Sequence, residues 1–318
     1  MARAPIYEHS LLLACRCARA LERVFPVRII WVLCWPAAAF LAVWQLTFAG
    51  PTFRQLDRVP AALRPRMSRP SWVAYLWQER TRINLARLMC LWPDRLSKER
   101  WVDRCHRVGL HALENQHAQG RPVVLALLHF GPVILIGHWL RALGLPVAGL
   151  RRRSTAERSL FWKYIDRLSA PGGRRDVPIV FDLTELRRAL EHLQAGGILA
   201  AAVEGRHTRH VRLSGEGFAF DMAPGVFRLA AASGAVVMPC LITAGPRMSF
   251  TVHLGEPVPE ELVIDENRHP AACDNLLREF LAVISRYPGQ SHPVLIANFQ
   301  PAIDSTRVSA QALSETAT

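Results

Sequence analysis

Residues 120–131 read GRPVVLALLHFG: six apolar side chains in a row, Val123 to Leu128, followed at once by His129, an aromatic and a glycine. So short an apolar run shows neither a helical stripe nor the in-out alternation of a half-exposed strand. It is the pattern of a strand buried on both faces, as in parallel sheets covered by helices. Pro132 suits the first turn of a helix, where its missing N–H is not needed, so a helix is predicted from that residue. His129 then sits between strand and helix, at the carboxyl edge where open α/β sheets carry their sites.

The chain on either side repeats this logic. DLTELRRALEHLQAGG (182–197) has Asp182 as helix cap, Glu185 three residues on and Gly196 at the stop, and it leads into the apolar run ILAAAV. Pro224 opens GVFRLAAASG, Gly234 closes it, and AVVMPCLI (235–242) reads as the next strand. A last helix is expected over about Pro270 to Tyr287. Alternating strands and helices make the fold class α/β. Upstream, residues 71 to 116 read as helical, with WVAYLWQERTRINLARLM placing apolar residues three and four apart.

From Ile29 to Phe53 no residue is charged, and about 20 apolar residues suffice to cross hydrocarbon. Pro36 interrupts the stretch and Trp31, Trp35 and Trp44 decorate it, so both a kinked span and a helix lying in the interface fit. The arginines before it hold the N-terminus in the cytoplasm, and residues 54 to 107 are again strongly basic, which suits the lying helix. The resulting division is a membrane-anchoring segment over 1–55, a helical covering region over 56–118, an α/β domain over 119–300 and a polar tail over 301–318.

The 318 residues carry 39 basic and 26 acidic side chains, a net charge of +13. All the basic residues are arginine except Lys98 and Lys163. Such a balance fits an anionic membrane, an acidic carrier and nucleic acid alike. The chain has no helix-turn-helix, zinc or aromatic-platform signature, so a basic nucleic-acid-binding protein is kept only as the alternative from another class. The local field is strongest from Arg141 to Arg175, where nine basic residues face two acidic ones. The seven cysteines form no C-x-x-C pair and read as reduced thiols, and no metal or other cofactor is called for.

Several blocks in order resemble the late acyltransferases of lipid A biosynthesis, lauroyl and myristoyl transferases within the wider glycerolipid acyltransferase superfamily. They are RTRINLARLMCLWPDRLSKERW (80–101), GRPVVLALLHFG (120–131), GLRRRSTAERSLFWKYIDRL (149–168), LQAGGILAAAVEGRHTR (193–209) and FDMAPGVFRLAAASGAVVMPCLI (220–242). The resemblance covers most of the chain. It implies a mixed sheet flanked by helices, an N-terminal hydrophobic membrane helix, and an O-acyltransferase at the cytoplasmic (inner) membrane with its catalytic domain facing the cytoplasm. The donor it implies is an acyl-ACP (acyl carrier protein) or acyl-CoA thioester, and the acceptor a hydroxyl of a membrane lipid or glycolipid.

In that reading His129 is the general base, and Gly131, Arg151, Arg152, Glu204, Gly205 and Arg206 bind substrate. The family motif is H-x-x-x-x-[DE], and here its acid position holds Ile134. Either Glu204 or a backbone carbonyl is then expected to orient the imidazole. Without either, the chain is a catalytically lapsed lipid-binding relative of the same fold. His138, nine residues after His129, reads as a packing or surface residue.

Overall fold

The computed structural model describes residues 27–47, 63, 68–89, 105–151, 179–205, 210–215, 217–246 and 249–301. Its centre is a seven-stranded mixed sheet. The strands are β1 (Cys105–Val108), β2 (Val123–Leu127), β3 (Val147–Arg151), β4 (Ile179–Asp182), β5 (Ile198–Ala202), β8 (Val236–Ala244) and β9 (Phe250–Leu254), in the order β1-β9-β8-β2-β5-β3-β4. The five from β8 to β4 run parallel, while β9 pairs antiparallel with β8 and β1 runs alongside β9. A second sheet of β6 (Val211–Gly215), β7 (Phe218–Met222) and β10 (Phe299–Pro301) is wholly antiparallel.

β2 lies at the centre, and every residue in it is buried. Val123, Leu125 and Leu127 enter one core, whereas Val124 and Ala126 enter the other. This two-sided burial is the reason the sequence shows an unbroken apolar run there. On the first face lie helices α3 (Leu110–Ala118) and α4 (Ile134–Ala142), which contribute Leu113, Ile136 and Leu140. On the second lie α5 (Leu186–Gln194), α6 (Gly225–Ser233) and α8 (His269–Ile284), with the small sheet beside them; the short α7 (Glu260–Ile264) precedes α8. Each large aliphatic side chain sealed in these layers contributes about 1.5–3 kcal/mol relative to exposure. The capping box read at Asp182 and Glu185 is present, though it opens a 3₁₀ turn (Leu183–Glu185) that runs on into α5.

The structure departs from the sequence reading in three places. Among the described residues, the stretch read as helical from 71 to 116 holds α2 (Arg69–Met89), then the strand β1, then the start of α3. The helix after His129 begins at Ile134, because Gly131 and Pro132 form a bend and Val133 a turn that precede it. Thirdly, the uncharged N-terminal stretch does form a helix, α1 (Val27–Thr47), with Pro36 inside it. Among the described residues, however, no helix is long and apolar enough to cross a membrane.

α1 packs on α2 through the buried Ala38 and Ala42, and a reciprocal amide pair joins Gln45 and Asn84 at 3.2 Å. Its opposite face leaves Ile29, Val32, Phe40, Val43 and Trp44 exposed. Residues 1–26 and the tail from 302 onward lie outside the described residues.

Candidate active site

Parallel pairing builds the site. β2 and β5 are in register from Val123 opposite Ile198 to Leu127 opposite Ala202. Two residues beyond each strand end, the same register sets His129 beside Glu204. Val203 N–H donates to Leu127 O at 2.9 Å, so the pairing continues past the strand ends. Glu204 then grips His129 twice: Oε1 accepts the His129 backbone N–H, and Oε2 lies 3.1 Å from Nδ1. An ionised carboxylate only accepts, so Nδ1 carries the ring proton and Nε2 the lone pair. The Glu204 side chain is 1% exposed and that of His129 43% exposed, so the carboxylate is sealed and the imidazole half-exposed.

The loop behind His129 is held by a second constellation that the sequence reading missed. Gln290, 1% exposed, donates from Nε2 to Glu79 at 2.5 Å and to Ala244 O at 2.9 Å, and its Oε1 accepts Ala244 N–H at 2.9 Å. Its backbone carbonyl accepts Gly131 N–H at 2.9 Å. Arg80 donates to Ser291 O, and Arg82 pairs with Glu79. Arg80 opens the block read over 80–101 and Glu79 precedes it on α2, but nothing local in the sequence links them to a turn more than 200 residues away.

Burial pushes the Glu79 carboxyl up, against the lowering influence of Arg82 and Gln290. The folded chain therefore holds this proton more tightly than the unfolded chain. Its contribution to stability is fully present below the unfolded carboxylate range and is lost as pH rises through the raised value.

Gly131 has φ +55°, and a Cβ there would lie 2.0 Å from Ile242 O. Its visible role is to let the loop lie against the end of β8. Gly205 is half-buried beside Glu204. Arg151 closes β3 opposite Asp182, at the same sheet edge as His129, and its side chain is outside the described residues, as are Arg152 and Arg206. His138 is buried in α4, consistent with packing. The described cysteines are free thiols. Burial pushes Cys105 to about 11 and Cys273 to about 12, so neither is a ready thiolate at neutral pH.

Ile134, at the position where the resemblance leads one to expect an acid, is half-buried against the core that contains Leu135 and Ile136. With Glu204 already on Nδ1, an acid at 134 has no ring nitrogen to orient. Ile134→Glu is therefore expected to bring no gain in rate and to cost about 1–3 kcal/mol through lost packing and carboxylate desolvation. Thermal unfolding and the transfer assay described below check both halves.

No protein-family model matches the chain, and no curated protein matches it.

Proposed function

We propose that the chain is a membrane-associated O-acyltransferase that moves a fatty acyl group from a carrier thioester to a hydroxyl of a membrane lipid or glycolipid. The observation that carries this reading is the sealed carboxylate of Glu204 on Nδ1 of a half-exposed His129, at the carboxyl edge of a central parallel strand. His129 Nε2 takes the proton of the acceptor hydroxyl as its oxygen attacks the thioester carbonyl. The tetrahedral intermediate collapses with cleavage of the carbon–sulfur bond, and the imidazolium returns the proton to the departing thiolate. Glu204 fixes the tautomer and stabilises the imidazolium in between. The chemistry implied by family resemblance needs an acid on the imidazole, and Glu204 supplies it from just beyond β5 where the motif position holds Ile134. That favours an enzyme over the lapsed lipid-binding relative.

The exposed side of α1 supports attachment by lying on the cytoplasmic membrane rather than crossing it. Ile29, Val32, Phe40, Val43 and Trp44 share one side of the helix, and the basic surroundings suit anionic lipid. Arg151 and Arg152 are proposed to meet the phosphates of an acyl-ACP or acyl-CoA donor. The test is incubation of the full chain with lauroyl and palmitoyl thioesters of acyl carrier protein and of coenzyme A, in vesicles of bacterial lipid extract, with labelled acyl lipid as readout. Labelled lipid supports the reading. A folded chain that yields none, and is retained on DNA but not on vesicles, overturns it in favour of the nucleic-acid alternative.

The membrane part carries its own prediction. Phe40→Ser/Val43→Ser alters only exposed side chains, so the α1 to α2 packing stays intact. Removing two apolar anchors at about 1.5–3 kcal/mol each is expected to weaken vesicle binding at least 10²-fold, read by co-sedimentation. Unchanged sedimentation would show that α1 does not enter the interface.

A further inference from the structure

Glu204 holds the backbone N–H and Nδ1 of His129. The next backbone groups of the same loop are held by residues 290–292. His129 O accepts His292 N–H at 3.0 Å, Gly131 N–H donates to Gln290 O at 2.9 Å, and Phe130 faces Ser291 between them across an antiparallel bridge. The loop is thus tied to a second segment, and its placement depends on what holds that segment.

The side chain of Gln290 supplies that hold. Its amide meets both backbone groups of Ala244, the last residue of β8: Nε2 donates to Ala244 O and Oε1 accepts Ala244 N–H, each at 2.9 Å. β2 pairs with β8 only as far as Leu127 opposite Cys240, so the amide serves a part of β8 beyond the reach of β2. The remaining Nε2 proton goes to Glu79 at 2.5 Å, which fixes the same amide to α2. The 3₁₀ turn that carries Gln290 (Pro288–Gln290) lies close on that helix, since a Cβ on Gly289 would come 2.8 Å from Tyr75 Cε1 and 3.1 Å from Glu79 Cγ. On the loop side, a Cβ on Gly131 would come 3.2 Å from Gln290 Oε1, so the amide also packs against the His129 loop.

Resting on the acyl-transfer reading, we infer that Gln290 is a positioning residue for that reaction: its amide locks β8 and α2 to residues 290–292 and so sets the His129 imidazole against Glu204. It acts through His129 and needs no contact with substrate. Removing the amide leaves Glu79 and both groups of Ala244 without this partner in the interior, where unmade hydrogen bonds are costly, so the segment must shift to find others. Any shift is passed to His129 O and Gly131 N–H. A displacement of about 1 Å at a reacting group is enough to cost about 10²-fold in rate.

Two variants of the full chain test the role. Gln290→Met keeps the length of the side chain and removes the amide. Gln290→Glu is the milder change: it keeps an acceptor for Ala244 N–H, but as a carboxylate it has no proton for Ala244 O or Glu79. In the vesicle assay with the four thioesters, well below melting, both are expected to lose about 10²-fold in kcat with KM within about threefold of wild type. Leu113→Ala, which opens a cavity in the core under α3, lowers the melting temperature without touching the segment and is expected to keep its kcat.

The second readout is the His129 ring itself, followed by NMR in chains carrying ¹⁵N-histidine and assigned by its loss in His129→Ala. The neutral ring is expected to be protonated at Nδ1 in the wild type, and in both Gln290 variants a share of rings protonated at Nε2 should appear as the grip of Glu204 loosens. Undiminished kcat in a folded Gln290 variant, an equal kcat loss in Leu113→Ala, or an unchanged His129 signal overturns this inference alone. A wild-type chain that moves no acyl group overturns the acyl-transfer reading and, with it, a role for Gln290 in transfer.

Discussion

Transfer by the Glu204→Gln chain is expected to fall about 10⁴-fold in kcat with KM little changed, the scale known for a histidine base whose orienting acid becomes an amide. Transfer by His129→Ala should vanish into background. Glutamine keeps the size of Glu204, and its Oε1 can still accept the His129 backbone N–H. Its NH₂ group then faces Nδ1, so Nδ1 must become an acceptor. The ring proton moves to Nε2, the atom that has to take the proton of the acceptor hydroxyl, and the base is lost while the loop stays in place. Melting temperatures near wild type for both variants would show that the losses are chemical. If Glu204→Gln transferred at the wild-type rate, the pairing of Glu204 with Nδ1 would be a structural contact and the dyad assignment would fail.

The second large effect concerns stability. Gly131→Ala meets two obstacles at once: a left-handed backbone at φ +55° and a Cβ 2.0 Å from Ile242 O, with the Ile242 carbonyl carbon at 3.1 Å. The backbone term alone costs about 1–2 kcal/mol. The clash cannot be relieved by turning a flexible side chain, because the obstructing atom is the main chain of β8. Any shift also strains the bond from Gly131 N–H to Gln290 O. A total loss of about 3–5 kcal/mol is expected, a large part of the 5–15 kcal/mol that stabilises an ordinary domain. The melting temperature should drop by roughly 10 °C. Gly120→Ala is the control, since Gly120 has φ +68° but nothing within 4 Å of its would-be Cβ. It should lose only the backbone term. Equal losses at the two glycines would remove the close approach of the His129 loop to β8 from the argument.

The sequence by itself determined the elements whose cause is local. The six-residue apolar run ending at His129, the capping box at Asp182 and the left-handed Gly234 closing α6 follow from side-chain burial, capping chemistry and backbone sterics within a few residues. The α/β class and the position of His129 at a sheet edge were legible for that reason. β1 was not, because its burial pattern has Cys105 inside and the next three residues exposed, which leaves no apolar periodicity to read.

The packing of α1 on α2 was equally out of reach. An uncharged stretch looks the same whether lipid surrounds it or Ala38 and Ala42 face a neighbouring helix. Glu204 could be named as a candidate acid from sequence, but its contact with Nδ1 rests on the register of two strands 75 residues apart. Gln290 and His292 carried no sequence signal at all. Their partners, Glu79, Ala244 and His129, lie 46 to 211 residues away, so only the folded chain brings them together. Tertiary structure decided the orientation of His129, because a tautomer depends on which group meets the second ring nitrogen, and that group arrives from another strand.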